Sequence, residues 1–311
     1  MILLIYEYRR DGWYEGIFRK LKFNYSDNLI NFLEKAIPAI ISYYGESSCE
    51  TVLKTFANCE IHIQEENEDT SQYLNKFFCK NEDTSIPFLA GAFYNNGISI
   101  KDNNIITKPL IYIKTVYSHQ YKPFNLDDDE SLDSLLHEIL HAIKEYGKVK
   151  VKDNKIFTST GLNQSVYSYD DFGNIKEEAN NYIGIEEAFN VAATSSILSM
   201  ITGREQKFRG YSSAGYLANA MLSNQKLEAV IKNSQLSGDT TWIQYFGDSS
   251  EQIIKSFDIL INMMYLSQKE VINRELRMKK IEDARLAREF LESFITMHCN
   301  WQFNFSERKP R

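Results

Sequence analysis

Cysteine, proline and histidine are all scarce in this chain, and each scarcity removes a class of protein. Four cysteines in 311 residues, Cys49, Cys59, Cys79 and Cys299, show no Cys-x-x-Cys spacing. That excludes a disulfide scaffold or a cysteine-based metal knuckle and fits buried thiols in a reducing compartment. No apolar run approaches the ~20 residues of a membrane span. Lysine and arginine (35) are outnumbered by aspartate and glutamate (42), leaving a net charge of −7 and no basic footprint for nucleic acid. The first residues lack a basic start and a cleavage site, so Met1 to Glu7 reads as a strand rather than a signal peptide. Together these point to a cytoplasmic protein. Only five prolines occur, and no Pro/Gly/Ser-rich linker divides the chain.

What remains is ordinary in bulk and unusual in one place. Hydrophobic content of 43% and charged content of 25% are those of a soluble globular protein. The length suffices for one large or two modest domains. Nineteen tyrosines and nineteen phenylalanines suggest an aromatic core and an aromatic-lined cleft. Of only five histidines, two fall in His137-Glu138-Ile139-Leu140-His141. Histidines four apart lie one turn apart on one helix face, where both imidazoles can bind a single tetrahedral Zn²⁺. Glu138 then stands beside the open coordination position, where it can take a proton from water that the metal has acidified.

The surroundings favour a helix there. Leu132, Leu135, Leu136, Ile139 and Ile143 form an apolar stripe at helical spacing. Asp127 to Glu130 crowd its start, with Ser131 or Asp129 as the N-cap, and Gly147 ends it after Lys144. Elsewhere the pattern predicts a helix over 26–44, with Pro38 kinking or splitting it. Strands are expected at 61–64 and 110–117, a short helix at 72–79, and a hairpin turning on Asn96-Gly97. The Asn-Glu-Asp-Thr-Ser pentapeptide at 67–71 and 81–85 reads as two acidic loops. Segment 155–181 reads as a β-hairpin or a flexible loop beside the site. Helices follow over 185–201, 216–231, 249–266 and 269–298, the last a charged, solvated one. The fold class is therefore α+β, with residues 1–147 a subdomain ending in the His-Glu-x-x-His helix and 148–311 a mostly helical one.

Two imidazoles leave a catalytic zinc one protein ligand short. An extended motif ending in a third histidine would need Gly at 144 and His at 147; Lys144 and Gly147 exclude it. His62, His119 and His298 have no helpful spacing. Gly184-Ile-Glu-Glu-Ala-Phe-Asn190 offers two carboxylates at the start of a helix. Adjacent helical side chains point ~100° apart, so only one of Glu186 and Glu187 can face the metal. Acidic residues also suit a helix N-terminus on dipole grounds alone.

His-Glu-x-x-His followed some tens of residues later by a helix bearing a glutamate resembles the gluzincin branch of the zincin-like zinc metallopeptidases. Several of its families carry an Asn-Glu-Gly-Phe/Leu run whose Glu ligates zinc. Glu186-Glu187-Ala188-Phe189 is similar, with Glu for Asn and Ala for Gly. The resemblance covers residues 88–200 and implies a zincin-like fold, in which a mixed N-terminal sheet packs on the zinc-binding helix. It lays the third ligand on Glu187, and implies Zn²⁺ as cofactor and a peptide or protein as substrate. A tyrosine contacting the reacting carbonyl is also implied, for which Tyr211 and Tyr216 are candidates, Tyr216 taken as the catalytic one. By the same likeness the edge strand, residues 90–100, would bind extended peptide by strand addition. Val191 departs from variants with an acid four positions after the ligand, which leaves Asn190 as a candidate partner for a histidine. A deformylase-like reading expects a cysteine ligand in a Gly-Cys-Leu-like context, which Cys79 does not supply. The alternative from another class is a metal-binding regulatory or interaction protein that keeps the ligands with little or no turnover.

Overall fold

A computed structural model describes residues 25–69, 92–101, 104–117, 120–121, 124–170, 175–268 and 274–299. The expected strand at 1–7, the short helix at 72–79, the second pentapeptide, Cys79 and His119 lie outside the described residues.

The chain begins with α1 (Asp27–Tyr44), capped by Ser26, whose hydroxyl accepts from the Leu29 amide at 3.4 Å. Pro38 does not split it: Ala36, Ile37, Ile40 and Ile41, on both sides of the proline, are buried and held by the core. After a 3₁₀ turn comes α2 (Cys49–Asn58), a helix that the sequence pattern did not single out. Strands β1 (Glu60–Ile63), β2 (Ala92–Asn95), β3 (Ser99–Lys101), β4 (Asn104–Ile106) and β5 (Leu110–Ile113) follow, then the short pair β6 (Val116–Tyr117) and β7 (Gln120–Tyr121). One sheet runs β1-β5-β2, with β1 parallel and β2 antiparallel to β5. It is a mixed sheet, and β1 and β2 are its edges among the described residues.

The hairpin expected at Asn96-Gly97 does not form. β2 pairs with β5, and β3 pairs with β4. The asparagines explain the difference. Asn95 Oδ1 accepts from the Gly97 amide at 2.7 Å and Asn96 Oδ1 from the Ile98 amide at 3.2 Å. Each bond closes a local turn that redirects the backbone. Gly97 has φ +57°, and a Cβ there would collide with the Lys108 backbone.

Helix α3 (Asp129–Glu145) carries the His-Glu-x-x-His motif. Its cap is Asp128, one residue before the expected start, whose carboxylate accepts from the Ser131 amide at 3.1 Å. Its apolar stripe, Leu132, Leu135, Leu136, Ile139 and Ile143, packs with Ile61, Ile111 and Ile113 of the sheet and with α1 and α2 in one core. Next comes an antiparallel sheet of β8 (Lys150–Lys152), β9 (Lys155–Thr160), β10 (Asn163–Tyr169) and β11 (Ile175–Asn181), in sequential spatial order. Residues 155–160, 163–169 and 175–181 of this sheet are strand, as the hairpin reading of that segment expects. Its β8–β9 turn uses Asp153 and Asn154 at φ 52° and 57°, as a tight hairpin requires.

Helix α4 (Ile183–Thr202) is buried on nearly every side, the mark of a central helix. Around it stand α5 (Ser212–Met221), α6 (Gln225–Ser237), α7 (Thr241–Phe246), α8 (Ser250–Gln268) and α9 (Arg274–His298). The single helix expected over 216–231 is two, because Asn224 Oδ1 accepts from the Lys226 and Leu227 amides and starts a new one. Helix α4 belongs to two cores. Ala193, Ile197 and Leu198 join the core of α1, α2 and α3; Ile185, Ala188, Phe189 and Ala192 join that of α5 to α9. The fold is mixed helix and sheet, and no helix among the described residues is long and apolar enough to cross a membrane.

The start of α4 is set by close packing. The Gly184 amide donates to Asp258 Oδ1 of α8 at 3.0 Å, and a Cβ at Gly184 would overlap the Asp258 backbone. Gly184→Ala is therefore expected to cost about 1–3 kcal/mol through forced separation of α4 and α8. A denaturant melt checks this; unchanged stability would show that the two helices can part freely.

Candidate metal centre

His137 and His141 project from one face of α3 toward α4, where the chain presents Glu187. Glu187 Oε2 lies 3.1 Å from His137 Nε2, and Oε1 lies 3.3 Å from His141 Nε2. The two Nε2 atoms are 3.1 Å apart. Around a tetrahedral zinc with bonds of about 2.0–2.1 Å, neighbouring donor atoms sit about 3.3–3.4 Å apart. The three contacts are near that spacing and involve both oxygens of Glu187, and two nitrogens and a carboxylate form a donor set suited to zinc. The residues therefore fit the ion. Side-chain exposures of 10–15% leave the three groups recessed but in contact with solvent.

Glu186 faces elsewhere. It pairs with Lys144 of α3 in an ion pair whose two members are 1% and 0% exposed. Glu186 Oε2 also accepts from the Leu162 amide at 2.8 Å and from Gln235 Nε2 at 3.3 Å. Gly161, at φ +66°, lets the β9–β10 turn approach this carboxylate; a Cβ there would overlap it. The step of about 100° between neighbours thus separates two glutamates completely. One joins the histidines and the other is locked in a polar core.

Lys144 has a second partner. Its ammonium donates to Asn190 Oδ1 at 2.6 Å. Asn190 Nδ2 in turn lies 3.1 Å from the His137 carbonyl and 3.0 Å from His141 Nε2. Asn190 thus contacts a histidine, as the sequence suggested, but at the ring nitrogen that faces Glu187.

Electrostatics divide the acids of the site. Burial pushes the Glu138 carboxyl up, opposed by both imidazoles, and the backbone amide of Tyr94 on β2 hydrogen-bonds it. Burial would also raise Glu187, but His141 and His137 outweigh it and hold this carboxyl well below its usual range. For His137, burial lowers the value and Glu187 more than reverses it, so the net shift is upward. Asp133, one turn before His137, is pushed up to about 6 by burial, against the pull of His137 and Arg209.

Several neighbours escaped the spacing argument. Asp133 sits at i−4 from His137, and Lys144 at i+3 from His141, so both were visible as residues on the histidine face. Glu145 was not. It is 5% exposed, accepts from Asn96 Nδ2 at 2.7 Å and is hydrogen-bonded by the Tyr94 hydroxyl, tying the edge strand to α3. Of the tyrosine candidates, Tyr216 packs edge-on to Phe208 with centroids 6.1 Å apart. The preceding Gly215 abuts Val191, one turn beyond Glu187, so α5 packs against α4 there. Tyr211 packs on the second core. His62 instead meets Glu68 at 2.7 Å, and His298 stacks on Phe294, so neither joins the cluster.

No protein-family model matches this chain, and no curated protein or solved structure matches it either.

Two outcomes follow from the geometry. Glu186→Gln leaves a buried ammonium without its counter-charge and is expected to cost about 3–5 kcal/mol of stability. Glu187→Gln is expected to cost less stability but to weaken Zn²⁺ binding roughly tenfold or more. Thermal melts and chelator competition read the two effects; an inverted pattern would exchange the roles. The second outcome concerns pH. His137, raised above 6.5, contributes stability that is whole below 6.5 and fades as pH rises through its folded value. Glu187, lowered below 4.5, contributes above 4.5 and fails as pH falls through its folded value. The metal-free protein should therefore weaken from mildly acid to alkaline pH. Stabilisation by Zn²⁺ should grow over the same range, since binding expels the protons. Melting temperatures with and without Zn²⁺ at about pH 6 and about pH 8 check both signs.

Proposed function

We propose that this chain is a zincin-like, zinc-dependent peptidase of the gluzincin type. One observation carries the reading: His137, His141 and Glu187 converge with donor spacings that suit a tetrahedral ion, while Glu138 stands on the same helix turn. A zinc ion held there supplies a Lewis acid that acidifies water and polarises a carbonyl.

The rest is work for the chain's own side chains. Glu138 accepts a proton from the attacking water at its carboxylate and passes it to the departing amine. Burial raises its proton affinity toward the range in which a base can also act as an acid. The Tyr94 amide helps hold that carboxylate in place. Tyr216, on a helix packed against α4, is assigned by the resemblance to gluzincins the hydrogen bond to the developing charge on the substrate carbonyl. β2 supports a peptide as the substrate class. Among the described residues it is an edge strand, tied to α3 through Glu138 and Glu145, so an extended chain that adds to it lies along the motif helix. The mixed sheet with an antiparallel edge, packed on the motif helix, also agrees with a zincin-like arrangement.

The test pairs a metal assay with a cleavage assay. The purified chain should hold about one Zn²⁺ and cleave members of a mixed peptide library. Glu138→Gln should keep the zinc and lose about 10²–10⁴ in rate. Zinc-loaded protein that leaves every peptide intact would favour the regulatory alternative, and an active Glu138→Gln would remove the assigned base.

A further inference from the structure

One face of the β8–β11 sheet runs against the charge of the whole chain. Register sets Lys152, Lys155, Ser168 and Lys176 side by side across β8, β9, β10 and β11. Lys150, Phe157, Val166 and Ala179 form the neighbouring row of the same face. The opposite face buries Ile156, Thr158 and Ser165, so the lysine face looks outward. All four lysines are exposed, and Phe157 among them is 37% exposed. Glu178, the extra residue at the bulge opposite Val166 and Tyr167, is the one acid among the strand residues of this face, and it pairs with Lys155 at 2.7 Å. Four cations thus meet one anion on a chain whose net charge is −7. Lys152 and Lys155 are direct cross-strand partners, and like charges so placed weaken a sheet. Protection of open edges explains lysines on the outer strands β8 and β11, but not Lys155 on an inner one.

The hairpin turn decides what the β8 edge offers. Asp153 and Asn154, both at positive φ, form a two-residue turn that makes Lys152 and Lys155 a hydrogen-bonded pair. Such pairs alternate with open ones, so Val151 turns its N–H and C=O away from β9. No strand occupies that side of β8 among the described residues. Val151 is 49% exposed, and Lys150 and Lys152 on either side of it have no ion-pair partner among the described residues.

We infer that β8 and the lysine face are a docking surface for an extended acidic polypeptide, which adds as a strand beside Val151 and sets carboxylates against Lys150 and Lys152. The surface prescribes the partner's pattern. The residue opposite Val151 exchanges both backbone bonds with it and shares its face, so an apolar side chain fits there. The residues before and after it fall on the lysine face, where acids fit. The partner therefore reads acid, apolar, acid. Lysines on an edge turn away neutral and basic strands, and the same lysines admit an acidic one. A phosphate polymer or an anionic bilayer could use the lysines but has no amide ladder for Val151. Either would also spread beyond this face and meet the acidic remainder of the chain, whereas a short segment feels chiefly the charges within about 10 Å. The inference goes beyond the peptidase reading and does not rest on it, because the surface holds its partner whether or not that partner is cut.

Fluorescence anisotropy on the full chain, with a chelator present so that no peptide is cut, tests this with a short labelled peptide of alternating glutamate and valine. The peptide should bind, and a peptide of alternating lysine and valine should not. Lys150→Glu combined with Lys152→Glu should weaken binding roughly tenfold. Val151→Pro keeps both lysines and removes only an outward N–H, a change that an edge strand tolerates, and should weaken binding by a similar factor. It also serves if the double variant fails to fold. An acidic peptide that does not bind would overturn the inference, as would unchanged affinity in either folded variant. Tighter binding of a single-stranded oligonucleotide or of phosphatidylserine vesicles would overturn it too, by assigning the face to phosphate. None of these results bears on the peptidase proposal, which the cleavage assay decides.

Discussion

The buried ion pair between Lys144 and Glu186 is the constraint from which the centre takes its shape. Both groups are essentially without solvent, and isolated charges there would be costly. The arrangement is tolerable because both charges have further polar partners. Lys144 adds Asn190 Oδ1, and Glu186 adds the Leu162 amide and Gln235. Gln235 continues to the Tyr44 hydroxyl at 3.4 Å, so the network touches α1, α3, α4, α6 and the β9–β10 turn. Because the pair joins α3 to α4 one turn beyond His141, it fixes the rotation of both helices. Glu187 then has one direction left to face, toward the histidines.

This explains why the centre sits where the two cores meet. An apolar contact between α3 and α4 would tolerate sliding and small rotations, since hydrophobic burial has no direction. A satisfied buried pair does not, because a shift of an ångström strands a charge. The cost of such a pair is modest stability, and its return is register. Glycine makes it possible at two points. Gly161 admits the turn that feeds the Leu162 amide to Glu186, and Gly184 lets α8 approach the start of α4 closely. The β9–β10 hairpin is anchored at its tip by the fully buried Leu162 and by the hydrogen bond to Glu186.

What could be read from the sequence divides along the same physics. The motif helix was legible because it combines a 3.6-residue apolar stripe, an acidic start and a closing glycine. The choice between Glu186 and Glu187 was not legible from spacing alone. It depends on Lys144, a residue that in sequence looks like a favourable last-turn cation and in space is a buried partner 42 positions away from Glu186. The Asn96-Gly97 hairpin misled for a similar reason. Its turn residues do make a turn, but Asn96 also answers to Glu145, and that long-range bond helps send the chain out of the sheet instead of back along it. The break between α5 and α6 was readable in principle, since Asn224 is a good N-cap; the continuous apolar pattern from Tyr216 to Ile231 masked it. Helix α4 lost its signal of amphipathicity because it is buried all round, so periodicity could place it but not orient it.

Three glutamates show how far environment, rather than residue type, decides chemistry here. Glu138, Glu186 and Glu187 are the same group within a few ångströms of the same two helices. Glu138 is recessed, meets one backbone amide and is pushed up by burial, which suits a proton carrier. Glu187 faces two imidazoles that overcome burial and keep it ionised, which suits a cation's ligand. Glu186 meets an ammonium and an amide and is held as part of the scaffold. Exchange any two of these neighbourhoods and the roles exchange with them. A carboxylate facing the histidines cannot be the proton carrier, because the charge that makes it a ligand is the charge that makes it a poor base. The separation of ligand from base therefore requires the rigid rotation of α3 against α4, and the buried Lys144–Glu186 pair is what supplies it.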